Sequence, residues 1–294
     1  MELFNQILQY VLTGITVGSI YAIIALGFSL IYSATGIINF AQGEFVMLGA
    51  MISVALIGKG HLPMPLAIVL AVLITGLLGG LLGRSAVHRL KKASPISLII
   101  VTIGASTFFK GCAMILWGKD ALPLPAFSAG DSINIGGASI VPQSLWILGI
   151  TCVVLLAVFL FSERTIFGKA MRASAVNKHG AALVGIDVNS MVVWAFSISA
   201  SIGAVGGAII APITMASYDM GMMLGLKGFC AAILGGLGSS GGAIAGGLIL
   251  GLVESLGAGL ISSSYKDAIA FIILLIILLV KPSGLIGGGA RDER

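Results

Sequence analysis

The stretch YVLTGITVGSIYAIIALGFSLIYSATGIINFAQGEF, residues 10–45, determines the class of fold that this chain can adopt. From Leu3 to Gly43 the sequence contains no charged side chain, and Glu44 is the first charge after Glu2. This apolar run is longer than the roughly 20 residues with which a helix crosses a bilayer. The residues before it lack the Lys or Arg of a signal peptide, so we predict that the first span is a retained transmembrane helix.

The composition extends this conclusion to the whole chain. Of 294 residues, 58% are hydrophobic and 9% are charged, whereas about 25% of residues are charged in soluble domains. The apolar stretches do not alternate with polar residues as the strands of a membrane barrel do. The sequence therefore predicts an all-α polytopic membrane protein, with residues 1–294 forming a single transmembrane domain. It contains no Cys/His cluster and no P-loop motif, so we expect neither a metal site nor an ATP site of its own.

We predict eight or nine transmembrane helices from the apolar stretches. The predicted spans are Leu8–Ile31, Ile37–Ile57, Pro65–Gly83, Ile96–Trp117, Leu145–Phe161, Met191–Pro212, two passes within Leu224–Leu260 that turn near Gly238–Gly242, and Ala268–Val280. Glycines at four-residue spacing allow membrane helices to approach closely, so we expect them at helix contacts. These pairs are Gly76/Gly80, Gly79/Gly83, Gly203/Gly207, Gly242/Gly246 and Gly247/Gly251.

Basic residues indicate the orientation of the chain in the membrane. They are concentrated in three segments, residues 84–92, residues 162–190 and the tail after Val280, which together hold 11 of the 16 Lys and Arg residues. Because cytoplasmic loops of membrane proteins are enriched in Lys and Arg, we predict that these three segments are cytoplasmic. The 118–143 connection then faces outward, and counting the passes backwards places the N-terminus outside as well.

Four charged residues lie inside the predicted spans, where charges are costly and usually face the interior of a bundle. Lys110 and Lys227 have long side chains that can extend towards a membrane interface. Glu254 lies in the middle of its span, and three interpretations remain open: it pairs with a Lys or Arg of another helix, it lines a pathway, or it is protonated and structural. Glu44 is the fourth.

Polar residues accompany Glu44. Gly36 and Gly43 permit the backbone to leave helical geometry, and Asn39 and Gln42 can bind the backbone groups that this exposes. One interpretation is a helix interrupted beside a water-filled path, since irregular backbone at membrane depth occurs only in such surroundings or inside protein. The other is a short loop between two spans that places Glu44 at the water interface. The residues alone do not separate the two.

The 162–190 segment is the longest polar stretch on the predicted cytoplasmic side. Residues 169–175 and 178–184 are each predicted to form a short helix, followed by Gly185 in a left-handed conformation. Asp187 or Asn189 is expected to cap the next span. The small apolar side chains Ala181, Ala182 and Val184 predict a docking element for another protein, and the alternative is a helix that lies on the membrane surface.

Four motifs, in this order, carry a resemblance to a known family. They are GSIYAIIALGFSLIYSATGIINFAQGEF (18–45), GKAMRASAVNKHGAALVGIDV (168–188), GGLGSSGGAIAGGLILGLVE (235–254) and LLVKPSGLIG (278–287). The chain resembles the permease subunits of bacterial ABC importers for branched-chain amino acids, in particular the shorter of the two permease types. The resemblance implies a type II-like importer permease with an interrupted second helix, located in the bacterial cytoplasmic (inner) membrane.

The resemblance also implies partners. These are a second homologous permease, two ATPase subunits that bind ATP and Mg, a periplasmic or lipid-anchored substrate-binding protein and an amino-acid substrate, with no nucleic acid involved. The chain itself would be a transporter subunit with no cofactor and no enzymatic activity. Relatives in the family also import urea and short amides, and these substrates remain an alternative. A different class of function, an autonomous ion-coupled carrier, would use Glu44 or Glu254.

The resemblance implies roles for particular residues. Those expected along the translocation pathway are Asn39, Gln42, Gly43 and Glu44. Those expected to couple the permease to an ATPase are Lys178, Ala181, Ala182, Leu183, Val184 and Gly185. Independently of the resemblance, the position of Glu254 and Lys227 within apolar spans makes them possible buried charges. Many relatives carry His where this chain has Gln42, which removes a titratable group from the site.

Overall fold

The structure is a computed structural model that describes residues 2–89, 95–281 and 283–286. The described elements are the helices α1 (Glu2–Thr35), α2 (Gln42–Gly58), α3 (Met64–Arg89), α4 (Pro95–Trp117), α5 (Pro142–Arg164), α6 (Ile166–Val176), α7 (Lys178–Leu183), α8 (Val188–Thr214), α9 (Met220–Gly235), α10 (Ser240–Leu260) and α11 (Lys266–Val280), and the strands β1 (Ile133–Ile135) and β2 (Ala138–Ile140). A short 3-10 turn, Ser263–Tyr265, leads into α11.

The predicted polytopic helical fold is confirmed. In the described part of the chain, seven segments are long and apolar enough to cross a membrane: α1, α3, α4, α5, α8, α10 and the segment Ser263–Val280 that contains α11. Two further apolar helices, α2 and α9, have 17 and 16 residues. Each of the nine predicted spans contains one of these helices. Two of these helices are longer than predicted, since α1 begins at Glu2 and not at Leu8, and α3 ends at Arg89 and not at Gly83. The second helix is shorter, since it was expected to begin at Ile37 and begins at Gln42.

The first helix forms the centre of the bundle. In its most apolar window 83% of the residues are buried, against 11% in α4 and 17% in α5. The outer helices expose large aliphatic and aromatic side chains, such as Ile100, Phe108 and Leu156, as expected for surfaces in contact with lipid. The core is therefore built from α1 and the helices that pack on it, mainly α8, α9 and α10.

Glycines bring the helices together, as predicted from their spacing. Gly14 and Gly18 of α1 face α10, where a Cβ built on Gly247 would lie 2.3 Å from the Ala22 backbone nitrogen. A Cβ on Gly207 of α8 would lie 1.9 Å from the Val46 carbonyl oxygen in α2. The other predicted pairs behave in the same way: Gly76, Gly79, Gly80 and Gly83 face α8, Gly203 faces α2, and Gly242 and Gly246 face α9. Backbone contact of this kind supplies the dispersion energy that holds helices together in lipid.

Contacts at the two ends of the bundle identify the segments that share a side. Gln9, near the start of α1, donates to the Ser139 carbonyl at 3.0 Å, which fixes the β1–β2 hairpin to that end. At the other end Ser33 donates to the Gly238 carbonyl at 2.9 Å in the α9–α10 turn. A cavity of about 770 Å³ at this second end is lined by residues of α1, α6 and the α9–α10 turn, together with Ser283.

Parts of the predicted cytoplasmic segments therefore lie on one side, opposite the hairpin. Arg84 lies on this side as well, because its neighbour Gly83 packs on Phe196 in the first third of α8, close to the end of the 162–190 segment. Four basic residues of these segments, Lys91, Lys92, Arg291 and Arg294, lie outside the described residues.

Candidate functional site

The backbone between α1 and α2 leaves helical geometry at Gly36. This glycine has a φ of +73°, a left-handed value that side chains disfavour. Thr35 stabilises the exit, since its hydroxyl donates to the Ile31 carbonyl at 2.7 Å and accepts from the Ile37 amide at 3.1 Å. Asn39 then accepts from the Ala41 amide at 3.1 Å, which satisfies one backbone donor before α2 begins. The expectation that Asn39 binds freed backbone groups is confirmed.

Gln42 connects three helices through Ser199. Its side-chain amide donates to the Ser199 carbonyl at 3.2 Å, and the Ser199 hydroxyl lies 2.7 Å from Gln42 Oε1 and 2.8 Å from the Gly27 carbonyl. Gln42 is fully buried. A Cβ on Gly27 would lie 2.1 Å from the Gln42 amide nitrogen, so α1 can approach only through a glycine. The side chain thus joins α1, α2 and α8 in the core.

Gly43 has a different role from the one expected. It lies inside α2 and does not depart from helical geometry, so the expectation that it loosens the backbone is wrong. A Cβ on Gly43 would lie 2.1 Å from the Gly221 carbonyl and 2.8 Å from Gly225 Cα. Its missing side chain therefore allows α2 to contact the backbone of α9.

Glu44 is buried among α2, α4 and α9, with 2% of its surface exposed. Its Oε1 accepts a hydrogen bond from the Ser106 hydroxyl at 3.0 Å, and its Oε2 has no hydrogen-bond partner among the described residues. A Cβ on Gly221 would lie 2.7 Å from Oε2. The interpretation that placed Glu44 at the water interface is wrong, because the carboxylate is enclosed by protein.

A second polar cluster joins α9, α10 and α11. Lys227 contacts Glu254 Oε1 at 2.9 Å and Asp267 Oδ1 at 2.6 Å, and Lys266 contacts Glu254 Oε1 at 3.3 Å. The Tyr21 hydroxyl donates to the same Glu254 oxygen at 3.0 Å. The interpretation that paired Glu254 with a lysine of another helix is confirmed. The expectation that Lys227 reaches an interface is wrong, because 6% of this residue is exposed and its charge is held inside the bundle.

The predicted helices of the 162–190 segment are present as α6 and α7. Asn177 caps α7 by accepting from the Gly180 amide at 2.8 Å, and Gly185 follows with a φ of +85° as predicted. Asp187 is the cap of α8, since its Oδ1 accepts from the Asn189 and Ser190 amides. Hydrogen bonds from the hydroxyl and the amide of Ser190 lower the pKa of Asp187.

The exposed face of α7 contains most of the residues expected to couple. Leu183 is 88% exposed and Val184 is 77% exposed, and Lys178, Ala182 and Gly185 are exposed as well. Ala181 is buried, so its side chain packs inward and does not belong to this face. Two large exposed apolar side chains at the end of a short helix are typical of a surface that another protein or the membrane covers, so both interpretations of this segment remain open.

A family model described as branched-chain amino acid transport system / permease component matches residues 10–278. The chain belongs to this family. It is 33% identical, over 97% of both chains, to the high-affinity branched-chain amino acid transport system permease protein LivH of Escherichia coli (strain K12). It is 32% identical, over 95% of both chains, to the permease protein BraD of Pseudomonas aeruginosa. The chain is therefore a membrane permease component of an ABC transport system and not an enzyme.

The chain is also similar to two more distant proteins. The ribose import permease protein RbsC of Haemophilus influenzae is 26% identical over 89% of this chain and 81% of its own. The solved structure of PsaBC from Streptococcus pneumoniae in complex with Fab superposes with a TM-score of 0.51 at 16% identity, covering 96% of this chain and 92% of that one. That structure supports the fold alone.

Sequence reasoning missed several residues that complete these clusters. Ser106 and Gly221 surround Glu44, Ser199 binds Gln42, and Asp267 and Tyr21 complete the Lys227 cluster. Asp267 carried a detectable signal, since it is an acid at the start of an apolar span. Ser106, Ser199 and Gly221 belong to residue types that are common in membrane helices, so only the packing of distant helices identifies them.

Proposed function

We propose that this chain forms half of the translocation path of an ATP-driven importer for branched-chain amino acids. The observation that carries the proposal is 33% identity over 97% of the chain to a permease whose name specifies these substrates. The family model, which spans residues 10–278, supports the same substrate class. The whole chain acts as one transmembrane permease domain, and the substrates are Leu, Ile and Val or related hydrophobic amino acids.

The proposed assembly contains a second homologous permease, two ATPase subunits that bind ATP and Mg, and a periplasmic or lipid-anchored binding protein. The exposed α7 face, with Leu183 and Val184, is the proposed docking surface for an ATPase. On this proposal the α7 end of the bundle is cytoplasmic and the β1–β2 hairpin faces outward in a bacterial inner membrane. The basic residues of the 162–190 segment support this orientation.

A movement of α7 can be transmitted through α8 to the proposed pathway residues in and before α2. Only four residues separate α7 from α8, and α8 carries Ser199, which is hydrogen-bonded to Gln42 at the start of α2. Closure of the ATPase pair would displace α7 and α8, and the displacement would reach α2, where Asn39, Gln42, Gly43 and Glu44 lie. This is alternating access driven by the ATP of a partner.

The test is reconstitution of the chain in liposomes, alone and with its partners, followed by uptake of radiolabelled L-leucine. We expect ATP-dependent uptake only with the second permease, the ATPases and the binding protein present. Excess unlabelled isoleucine or valine should compete, and excess urea or acetamide should not. Ion-driven leucine uptake by the chain alone would establish an autonomous carrier and contradict the proposal.

A further inference from the structure

The last turn of α5 combines a lipid-facing stripe with a cationic end. Leu156 and Leu160 are exposed on this span, and Arg164 follows at the same four-residue spacing, so the three side chains lie on one face of the helix. The 23 residues of α5 form a helix of about 35 Å, which is slightly longer than the roughly 30 Å of bilayer hydrocarbon. The exposed Arg164 at its end therefore lies in the headgroup layer.

The first turn of α6 lies beside the last turn of α5, because the chain bends sharply at Thr165. The Thr165 hydroxyl donates to the Phe161 carbonyl at 2.6 Å and accepts from the Gly168 amide at 3.0 Å. A Cβ on Gly168 would lie 2.4 Å from the Phe161 carbonyl oxygen, so the close approach requires a glycine. The residues on either side of Gly168 are thereby held at the depth of the last turn of α5.

These neighbouring residues include two large apolar side chains and a cation. Ile166 is 85% exposed and Phe167 is 55% exposed. Lys169 is exposed as well and follows Ile166 by three residues, so the two lie on one face of α6. Met171 and Ser174 are buried on the other side of the helix, against the bundle. Exposed apolar side chains next to basic ones are typical of a helix that lies in the membrane–water interface.

The charge of this region is unbalanced. Glu163 is the only acid between residues 162 and 186, and Arg172 donates to both oxygens of its carboxylate, so that charge is neutralised. Arg164 and Lys169 form no ion pair among the residues that the structure describes. Two unpaired cations at headgroup depth are complementary to a negatively charged lipid.

We propose that the α5–α6 corner, residues 164–169, is a binding site for an anionic phospholipid. Arg164 and Lys169 pair with the headgroup phosphate, and Ile166 and Phe167 insert between the acyl chains. The site continues the lipid-facing stripe of α5, and its depth favours a lipid over a protein that approaches from the aqueous side. On the proposed orientation the lipid belongs to the cytoplasmic leaflet.

The lipid site affects the proposed docking surface on α7. Asn177 is the only residue between α6 and α7, and its side chain caps α7. An α6 helix anchored in the headgroup layer therefore fixes the depth at which Leu183 and Val184 are presented to an ATPase. This part of the inference rests on the proposed function and adds a requirement to it, namely that ATP-driven uptake depends on anionic lipid.

The first test locates the bound lipid. The purified permease–ATPase assembly is reconstituted in phosphatidylcholine vesicles with a trace of phosphatidylglycerol that carries a photoreactive group near its headgroup, and the crosslinked peptides are identified by mass spectrometry. A phosphatidylcholine probe with the same group serves for comparison. The site variant combines Arg164→Gln with Lys169→Gln, and the matched control combines Lys59→Gln with Lys119→Gln, two exposed lysines outside the corner.

We expect the phosphatidylglycerol probe to label the α5–α6 corner of the wild type, and unlabelled phosphatidylglycerol to compete. The site variant should be labelled at least tenfold less, because each basic residue near an anionic surface contributes a factor of about five. The control should equal the wild type. Equal labelling of the corner by the two probes, or equal labelling of wild type and site variant, would overturn the lipid site.

A second measurement identifies what covers the corner. When Ile166 is replaced by the photoreactive residue p-benzoylphenylalanine, illumination of the assembled permease–ATPase complex in vesicles should produce crosslinks to lipid. A crosslink from this position to an ATPase subunit would show that a protein covers the corner, and the lipid site would be wrong.

The requirement for anionic lipid is tested by ATP-driven leucine uptake in vesicles with and without phosphatidylglycerol. Uptake by the wild type should rise several-fold with phosphatidylglycerol, and the site variant should lose most of this rise. Uptake that ignores phosphatidylglycerol would contradict the effect on α7. A complete importer that moves no leucine in either lipid would contradict the proposed function instead, and the labelling experiment, which needs no transport, would still decide the lipid site.

Discussion

Lys227 of α9 contacts Glu254 of α10 and Asp267 of α11, so removal of its charge should lower the stability of the bundle. Its side chain is 7% exposed, and that of its partner Glu254 is 1% exposed. Lys227→Met leaves Glu254 with Lys266 as its remaining cation, and the Lys266 side chain is 45% exposed. We expect the variant to lose about 3–5 kcal/mol of stability, as when one partner of a buried ion pair is removed. Thermal unfolding in detergent would measure this loss.

A double variant tests whether the loss comes from the pair. Lys227→Met combined with Glu254→Gln should be less destabilising than the sum of the two single changes, because the buried carboxylate is removed together with its lysine. Asp267 also loses Lys227, but its side chain is 56% exposed and can be solvated. The exposed pair of Glu163 and Arg172 is the control, and Glu163→Gln should change stability by less than about 1 kcal/mol. Strictly additive effects at 227 and 254 would contradict the coupling.

Asp187 introduces a pH dependence at the start of α8. Its native pKa is lowered by hydrogen bonds from Ser190, so the unfolded chain takes up this proton at a higher pH than the folded chain does. The stabilisation is therefore complete above the pKa of the unfolded chain, about 3.9 for Asp, and is lost as the pH falls through the lower native pKa. Hydrogen exchange of the first turn of α8 should accelerate below about pH 4 in the wild type. Asp187→Asn should remove most of this acceleration, and an unchanged pH profile would contradict the assignment.

At the residue scale, the sequence identified which side chains are unusual but not which of them meet. Glu44, Lys227 and Glu254 were identified as candidate site residues because charges in apolar spans are rare. Their partners were not, since Tyr21 and Glu254 are 233 residues apart and only the packing of helices brings them together. Gly36 and Gly43 looked equivalent in sequence, and the close approach of α9 explains why the second has a packing role instead.

The chain leaves α7 through Gly185, whose left-handed conformation other residues disfavour. Gly185 has a φ of +85°, and a Cβ there would meet no atom within 4 Å, so the constraint is conformational and not steric. Gly185→Val should shift the end of α7, since a left-handed β-branched residue is strained by about 1–2 kcal/mol. We expect reduced co-purification with the ATPase subunits and reduced uptake, with the spans still folded. Gly185→Asn is the matched control, because Asn tolerates positive φ, and equal loss in both variants would contradict the explanation.

The contact between α2 and α8 depends on Gly207. A Cβ on this residue would lie 1.9 Å from the Val46 carbonyl, a backbone atom that cannot rotate away. Gly207→Ala should therefore lower stability by about 1–3 kcal/mol, the usual effect of overpacking. The control is Gly111→Ala in α4, where the added methyl group meets nothing within 4 Å and the change should be neutral or slightly stabilising. Unfolding midpoints of the two variants in detergent measure the difference, and equal midpoints would contradict it.

At the element scale, apolar length predicted every span, whereas short elements depended on local signals. Residues 133–140, INIGGASI, form a hairpin with Gly136 and Gly137 at its turn, and a two-glycine turn between hydrophobic residues is a known hairpin signal. The α6 helix is longer than predicted because Thr165 caps it by accepting from the Gly168 amide at 3.0 Å. Both features were present in the sequence as recognisable patterns.

The whole molecule has two ends that cysteine labelling can distinguish. Val184 is exposed at one end of the bundle, and Asn134 is exposed in the hairpin at the other. In a variant whose three cysteines are replaced, Val184→Cys should react with a membrane-impermeant maleimide only after permeabilisation of spheroplasts. Asn134→Cys should react without it. Labelling of both from the same side would contradict the arrangement, and the reverse pattern would invert the proposed orientation.

At the whole-molecule scale, the apolar spans and the clustering of basic residues predicted which segments lie at the same end of the bundle, and the assignment of one end to the cytoplasm stays a prediction. The pairing of helices was not predictable in the same way. α1 packs most extensively on α10, and the glycines that meet there, Gly18 and Gly247, are separated by most of the chain. Spacing showed that both helices had surfaces suited to close contact, but many helices of this chain share that spacing, so it did not select the partner.

The pairing of α1 with α10 also has a consequence for how the protein is made. Synthesis proceeds from the N-terminus, so α1 enters the membrane long before Gly247 and Gly251 are translated. Until then α1 lies in the lipid bilayer without α10, and this is tolerated because the sequence carries no charge between Leu3 and Gly43. Lys227, Glu254 and Asp267 instead emerge close together, so each charge meets its partner soon after insertion. Truncation before α10 should therefore leave an inserted chain without a closed core, the natural substrate of membrane quality-control proteases.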